Sequence, residues 1–269
     1  YIKAHGGLVS GELRIGGVFT DPEFNGDVVV QNPVISCPDY VPDLMKSDVM
    51  DVVIRNNRLT VHDQVFTVKK GKAILDLELV MDRWFLDYLK LWIKTPTGVT
   101  VPAKVNISSN PGSNSGLTVL VEGNSTCDLD MTITTTAFDL KGTFFTEDLE
   151  INIITDVLGL QKKQNNDVIY TNPNKDYSVT LDMELTTGQH VELIYDPLLR
   201  GLIAPNTNVK FTFDSITQDV TIISDVVLRG GEVTYLNRNF YIREGRIIFS
   251  EINSLDPLIT IRAEIREQD

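Results

Sequence analysis

Apolar and polar residues alternate one by one through most of this chain, and that period of two limits its fold more than any other feature. Leu75, Leu77 and Leu79 alternate with Asp76 and Glu78; Leu129, Met131 and Ile133 with Asp130 and Thr132; Leu149, Ile151 and Ile153 with Glu150 and Asn152. Val179, Leu181, Met183 and Leu185 enclose Thr180, Asp182 and Glu184, and Val209, Phe211 and Phe213 enclose Lys210 and Thr212. The stretch Gly230–Ile265 carries further runs, with Phe240, Ile242, Ile247, Phe249, Ile259 and Ile261 among their apolar members. Successive side chains of a strand point to opposite faces, so each run has one oily face and one wet face. One-sided burial written this often predicts an all-β chain of antiparallel sheet.

Turn chemistry divides the runs. Asn110–Gly116 reads as a loop, Asn172-Pro173-Asn174 and Ala204-Pro205-Asn206 as tight reversals, and Gly230-Gly231, Gly245 and Asp256-Pro257 as punctuation between the C-terminal strands. Turns spaced about every 8–14 residues favour a sandwich, barrel or sheet solenoid over an α/β fold. Met81–Trp92 fits both helical offsets and a strand register, and its flanks favour strand. Asp156–Gln164 reads as a helical turn or a loop, and Pro38–Asp51 as a place for a short helix. No composition shift divides the chain, so one elongated unit over 1–269 is expected.

Charge narrows the function classes. The 37 acidic residues outweigh 24 basic ones, for a net charge of −13, which repels phosphate backbones and anionic headgroups. Nucleic-acid binding and polybasic membrane docking are therefore disfavoured. No run approaches the roughly 20 apolar residues that a spanning helix needs. Tyr1–His5 carries no signal-like pattern, and both ends read as cuts inside a longer protein, with any leader or anchor lying outside them. Cys37 and Cys127 form neither a disulfide framework nor a zinc pattern, and leave open one bridge or two free thiols.

No catalytic pattern is written in the residue spacing. His5, His62 and His190 stand apart in sequence, and no nucleophile elbow, phosphate loop, zincin helix or calcium loop is written. The pairs Asp128/Asp130 and Asp182/Glu184 each share a strand face, where regular alternation makes them hydrated exterior. The expectation is a protein with no enzymatic centre, metal or cofactor.

One resemblance sharpens this. Gly231, Asn239, Phe240, Ile242, Gly245, Ile247, Phe249, Asp256, Pro257, Leu258, Ile259, Ile261 and Ala263 fall on a pattern of glycine-led strand, aromatic step and Asp-Pro-led strand. That pattern resembles the TamB family (translocation and assembly module, inner-membrane component) within the AsmA-like group of bridge-type lipid transfer proteins, and Gly11–Val30 resembles another step of it. The resemblance implies a β-taco, a curved antiparallel trough with an apolar interior. It implies residence in the periplasm of a diderm bacterium, with an N-terminal anchor in the inner membrane lying outside this chain. It also implies phospholipid transport towards the outer membrane and a barrel partner of the TamA/BamA type.

Alternation alone fits a dry sandwich core as well as an open lane for acyl chains; the resemblance favours the lane. The residues expected to line it are the apolar members of the runs quoted in the opening paragraph, from Leu75 to Ile261. The competing expectation is a scaffold module whose sheet edge captures an outer-membrane barrel partner by strand addition.

Overall fold

The computed structural model describes residues 2–108, 117–155, 177–217, 219–235, 238–249 and 258–265, and every regular element among them is a strand. The strands are β1 (Lys3–Val18), β2 (Asp21–Cys37), β3 (Val41–Lys46), β4 (Val49–Arg55), β5 (Arg58–Val68), β6 (Gly71–Asp82), β7 (Phe85–Lys94) and β8 (Val101–Ser108). They continue as β9 (Leu117–Thr134), β10 (Ala137–Thr155), β11 (Ser178–Tyr195), β12 (Leu199–Ile203), β13 (Asn208–Asp214), β14 (Asp219–Tyr235), β15 (Arg238–Phe249) and β16 (Leu258–Glu264).

All sixteen belong to one sheet. Three rungs are shared by two short strands lying end to end. Strands β3 and β4 both lie between β2 and β5, β7 and β8 both flank β9, and β12 and β13 both lie between β11 and β14. Sixteen strands with three shared rungs make thirteen rungs from β1 to β16. Twelve steps of about 4.8 Å carry the sheet roughly 58 Å along its hydrogen-bonding direction.

Several expectations need correction. Pro38–Asp51 forms no helix: β3 and the start of β4 occupy it, because ladders to β2 and β5 on either side satisfy its backbone in extended form. Met81–Trp92 is strand, but broken by a turn at Arg83-Trp84, where Arg83 has φ +57°. The sheet is not purely antiparallel, since β10 and β11 pair in parallel from Ala137↔Ser178 to Asn152↔Ile194. Individual strands reach 19 residues, longer than the turn spacing suggested.

The glycines explain part of that excess length. Gly230-Gly231 lies inside β14 and Gly245 inside β15, neither in a turn. A Cβ on Gly245 would fall 2.8 Å from Leu228 Cβ, and one on Gly231 would fall 2.1 Å from the Arg200 carbonyl oxygen. Both mark close cross-strand approach rather than chain reversal. Ala204-Pro205-Asn206 bends the chain, with Asn206 at φ +61°, but does not reverse it, because β12 and β13 on either side both run antiparallel to β11 and so continue in one direction along a shared rung. Asn110–Gly116, Asp156–Gln164, Asn172-Pro173-Asn174 and Asp256-Pro257 lie outside the described residues.

Candidate functional site

Directly opposed residues of neighbouring strands share a face, so the register states which side chains lie together. One file runs Val61–Leu77–Leu91–Met131–Leu140–Leu181–Phe213–Val220, across β5, β6, β7, β9, β10, β11, β13 and β14. Leu79, Ile133 and Val179 occupy the file on one side of it, and Leu75, Leu129, Met183 and Phe211 the file on the other. Leu185, Val209, Ser224 and Phe249 form a further file. Beyond it Leu149 opposes Val191, Ile151 opposes Val121 and Leu193, and Ile153 opposes Val119. Phe240 opposes Val233, Ile242 opposes Ala263, and Ile259 and Ile261 oppose Ile247 and Gly245. Every residue expected to line the lane therefore stands on the same face of the sheet. The ladders also extend that face to Val28 and Val30 of β2 and to Val9, Leu13 and Ile15 of β1.

Burial sorts these residues. Leu149, Ile242 and Ile247 are only 5%, 6% and 4% exposed, in a cluster with Val191, Leu193, Ile203, Val226 and Leu228. They are core, with no surface left for a guest. Ile151, Ile153, Leu185, Phe249 and Ile261 pack half-buried against that cluster. Leu75, Leu77, Leu79, Leu129, Met131, Ile133, Val179, Leu181, Met183, Val209, Phe211, Phe213 and Phe240 are half-buried, and Ile259 is exposed. Most of this face is thus only partly buried among the described residues.

A line of ladder breaks crosses the sheet near mid-rung. Registers shift at Val61/Gln64 in β5, at Thr146/Asp148 in β10 and at Ile242/Glu244 in β15, and the three shared rungs part along the same line. Each break leaves backbone groups without a ladder partner, and buried side chains replace it. Between β3 and β4, Gln64 Nε2 donates to Ser47 Oγ at 2.6 Å and to the Val49 carbonyl at 2.9 Å. Past the end of β7, the Cys127 amide donates to Thr95 Oγ1 at 2.9 Å. Between β12 and β13, Thr187 Oγ1 donates to the Ala204 carbonyl at 2.8 Å and accepts from the Thr207 amide at 3.0 Å. Gln64, Thr95, Ser125, Thr146, Thr187, Thr207 and Ser224, the polar side chains buried among the described residues, all belong to this seam. Sequence reading missed it, although the signal was there. Apolar positions are even through Phe144 and odd from Leu149, even through Ile242 and odd from Gly245, and such a parity flip marks an inserted residue, a bulge.

The opposite face is polar and charged. Arg55–Asp27, Lys94–Asp128 and Arg200–Glu192 pair across strands at 2.7, 3.0 and 2.7 Å. His62 and His190 lie there too, exposed, at 3.5 Å from Asp76 and 3.2 Å from Asp148, while His5 bonds Ser36 on β2. Two open depressions, of about 620 and 320 Å³, also open on this side, one lined by Lys46, Asp48, His62 and Lys72, the other by Glu192, Arg200 and Tyr241. Asp128, Asp130, Asp182 and Glu184 are exposed. Both cysteines are free, and among the described residues no His, Cys, Asp or Glu group is placed to hold a metal ion. Burial pushes the Cys127 thiol up to about 11, with Asp128 adding to the shift.

No protein-family description, curated protein or solved structure matches the chain.

Proposed function

We propose that this chain shields lipid acyl chains along its apolar face, as the periplasmic section of a bridge between inner and outer membranes that supports phospholipid transport and outer-membrane biogenesis. The supporting observation is the single apolar face that runs in register through the rungs and stays half-exposed over most of its length. Carrying a bare acyl chain through water costs about 0.8 kcal/mol per CH₂, on the order of 11 kcal/mol for one chain. Leu, Ile, Met and Phe side chains on one side of a sheet curved into a trough replace that water without demanding hydrogen bonds, and the headgroup stays hydrated. The reading is tested by placing a photo-crosslinker at Leu181 or Phe211, against Asp182 and Lys210 on the other face. Lipid crosslinked only from the first pair is the expected result; no lipid in any preparation and no crosslink from either face would end the proposal.

A second reading, a scaffold that captures a TamA/BamA-type barrel protein by strand addition, draws on one observation. All residues of β1 are exposed, and it forms the edge of the sheet. Leu8→Lys with Ser10→Lys, on the wet side of that edge, should abolish capture of the barrel and leave lipid content unchanged. Unaltered capture would count against this role.

A further inference from the structure

Three reversals of the chain stand side by side on one rim of the sheet. The turns after β1, β4 and β6 are tied through Asn57. Its amide donates to the Phe24 carbonyl at 3.2 Å, its side chain bonds the Phe24 amide at 2.7 Å and the Pro22 carbonyl at 3.0 Å, and its carbonyl accepts from the Met81 amide at 3.0 Å. Trp84 spans this group. Its Nε1 donates to the Phe19 carbonyl at 2.7 Å, and its ring lies 5.6 Å from Phe19 and 5.5 Å, edge-on, from Phe24. Held this way, large apolar side chains point into solvent: Phe19 is 83% exposed, Phe85 73%, Val18 64% and Trp84 44%.

We propose that this aromatic rim docks into the interfacial layer of a zwitterionic lipid bilayer and forms the mouth by which acyl chains pass between bilayer and lane. The role as a mouth rests on the acyl-chain reading above. Three features select a bilayer as the occupant. The apolar groups sit at turn tips, which can enter a soft layer of headgroups. The indole N–H is already satisfied within the chain, so the ring can leave water at little cost. And the patch is continuous with the lane, because Phe24 opposes Ile15 on the apolar face and touches Trp84. Charge then selects the headgroup. Asp21, Glu23, Asp82 and Asp87 outnumber Arg55, Arg58 and Arg83 around the tip, and Arg55 and Arg58 are paired with Asp27 and Glu78, so attraction to anionic lipid cannot be the driving force.

The test uses the whole chain with Trp92→Phe, which leaves Trp84 as the sole indole. With phosphatidylcholine vesicles, Trp84 emission should shift to the blue and be quenched by brominated acyl chains. Adsorption should be insensitive to salt and weaker when phosphatidylglycerol is added. Phe19→Ser with Phe85→Ser should lower vesicle affinity at least tenfold with the urea midpoint unchanged, since both rings are exposed. A wild type without shift or quenching, or a double variant that adsorbs equally well, would overturn the proposal. Absent adsorption beside a lane that still crosslinks lipid at Leu181 would sink the mouth alone. Adsorption with no lipid ever crosslinked at Leu181 would sink the lane and the role as its mouth.

Discussion

Thr146 and Thr187 face each other across the parallel pair β10–β11, on the same face and at the same seam, with 1% and 0% exposure. Their hydroxyls differ in one respect. Thr187 Oγ1 bonds the Ala204 carbonyl and the Thr207 amide, whereas Thr146 Oγ1 meets no partner in the structure. Valine has nearly the shape of threonine, so Thr→Val removes the hydroxyl without opening a cavity. In Thr187→Val the Ala204 carbonyl keeps its bond from Thr207 Oγ1 at 2.7 Å, but the buried Thr207 amide loses its acceptor. An orphaned buried donor costs about 1–3 kcal/mol. With a urea slope on the order of 3 kcal/mol/M, the unfolding midpoint should fall by roughly 0.3–1 M. Thr146→Val orphans nothing and removes a buried hydroxyl that gains no compensating bond, so it should be neutral or stabilising by up to about 1 kcal/mol. Equilibrium urea unfolding followed by far-UV circular dichroism reads both. A Thr146→Val variant that loses as much as Thr187→Val, or a neutral Thr187→Val, would refute the view that these side chains replace missing ladder partners.

Other outcomes follow from single positions. Gly231→Ala should cost at least about 1–3 kcal/mol by the same assay, because a Cβ there meets the Arg200 carbonyl and Gly231 holds φ +139°; an unchanged midpoint would contradict the close approach. Cys127 ordinarily would titrate at 9.0 and is raised to about 11, so its thiolate below pH 9, and its reaction with iodoacetamide there, should be roughly 100-fold lower than for an ordinary thiol until urea unfolds the chain. The same shift fixes a sign. The thiol's contribution to stability is complete below about pH 9, where neither state ionises, and is lost as pH climbs towards about 11 because the unfolded thiol ionises first. A Cys127→Ala variant should therefore show a flatter decline over that window.

How far the sequence carried this structure depends on which physics is local. A period of two is local, so it placed Leu77, Met131, Leu181 and Phe211 on one face without knowledge of which strands pair. Pairing is not local. Nothing around Ala137 or Ser178 announces that their strands run parallel. Nor does Val41–Arg55 disclose that two short strands share one rung between β2 and β5. Glycine misled for a related reason, since Gly231 and Gly245 answer to the strand beside them and not to a turn. The seam was legible in principle, through parity flips and through Ser or Thr at lane positions, but its purpose follows only from the neighbours' missing ladder bonds. Among the lane residues, the buried state of Leu149, Ile242 and Ile247 depends on the side chains that neighbouring strands pack against them, which alternation cannot express. The rim of Phe19, Trp84 and Phe85 joins turns more than sixty residues apart (65 for the Trp84–Phe19 bond) and left no trace in any local pattern.

The central claim is that hydrocarbon meets one face of this sheet and not the other, and methyl NMR with a spin-labelled fatty acid measures that directly. Both faces offer exposed methyls: Val65, Ile223 and Val227 on the polar side are 42%, 52% and 45% exposed, so accessibility alone favours them. The expected result is selective broadening at Leu77, Met131, Leu181 and Met183, with Val65, Ile223 and Val227 sharp. Equal broadening on both faces, or none along the Leu77–Leu181 file, would contradict it.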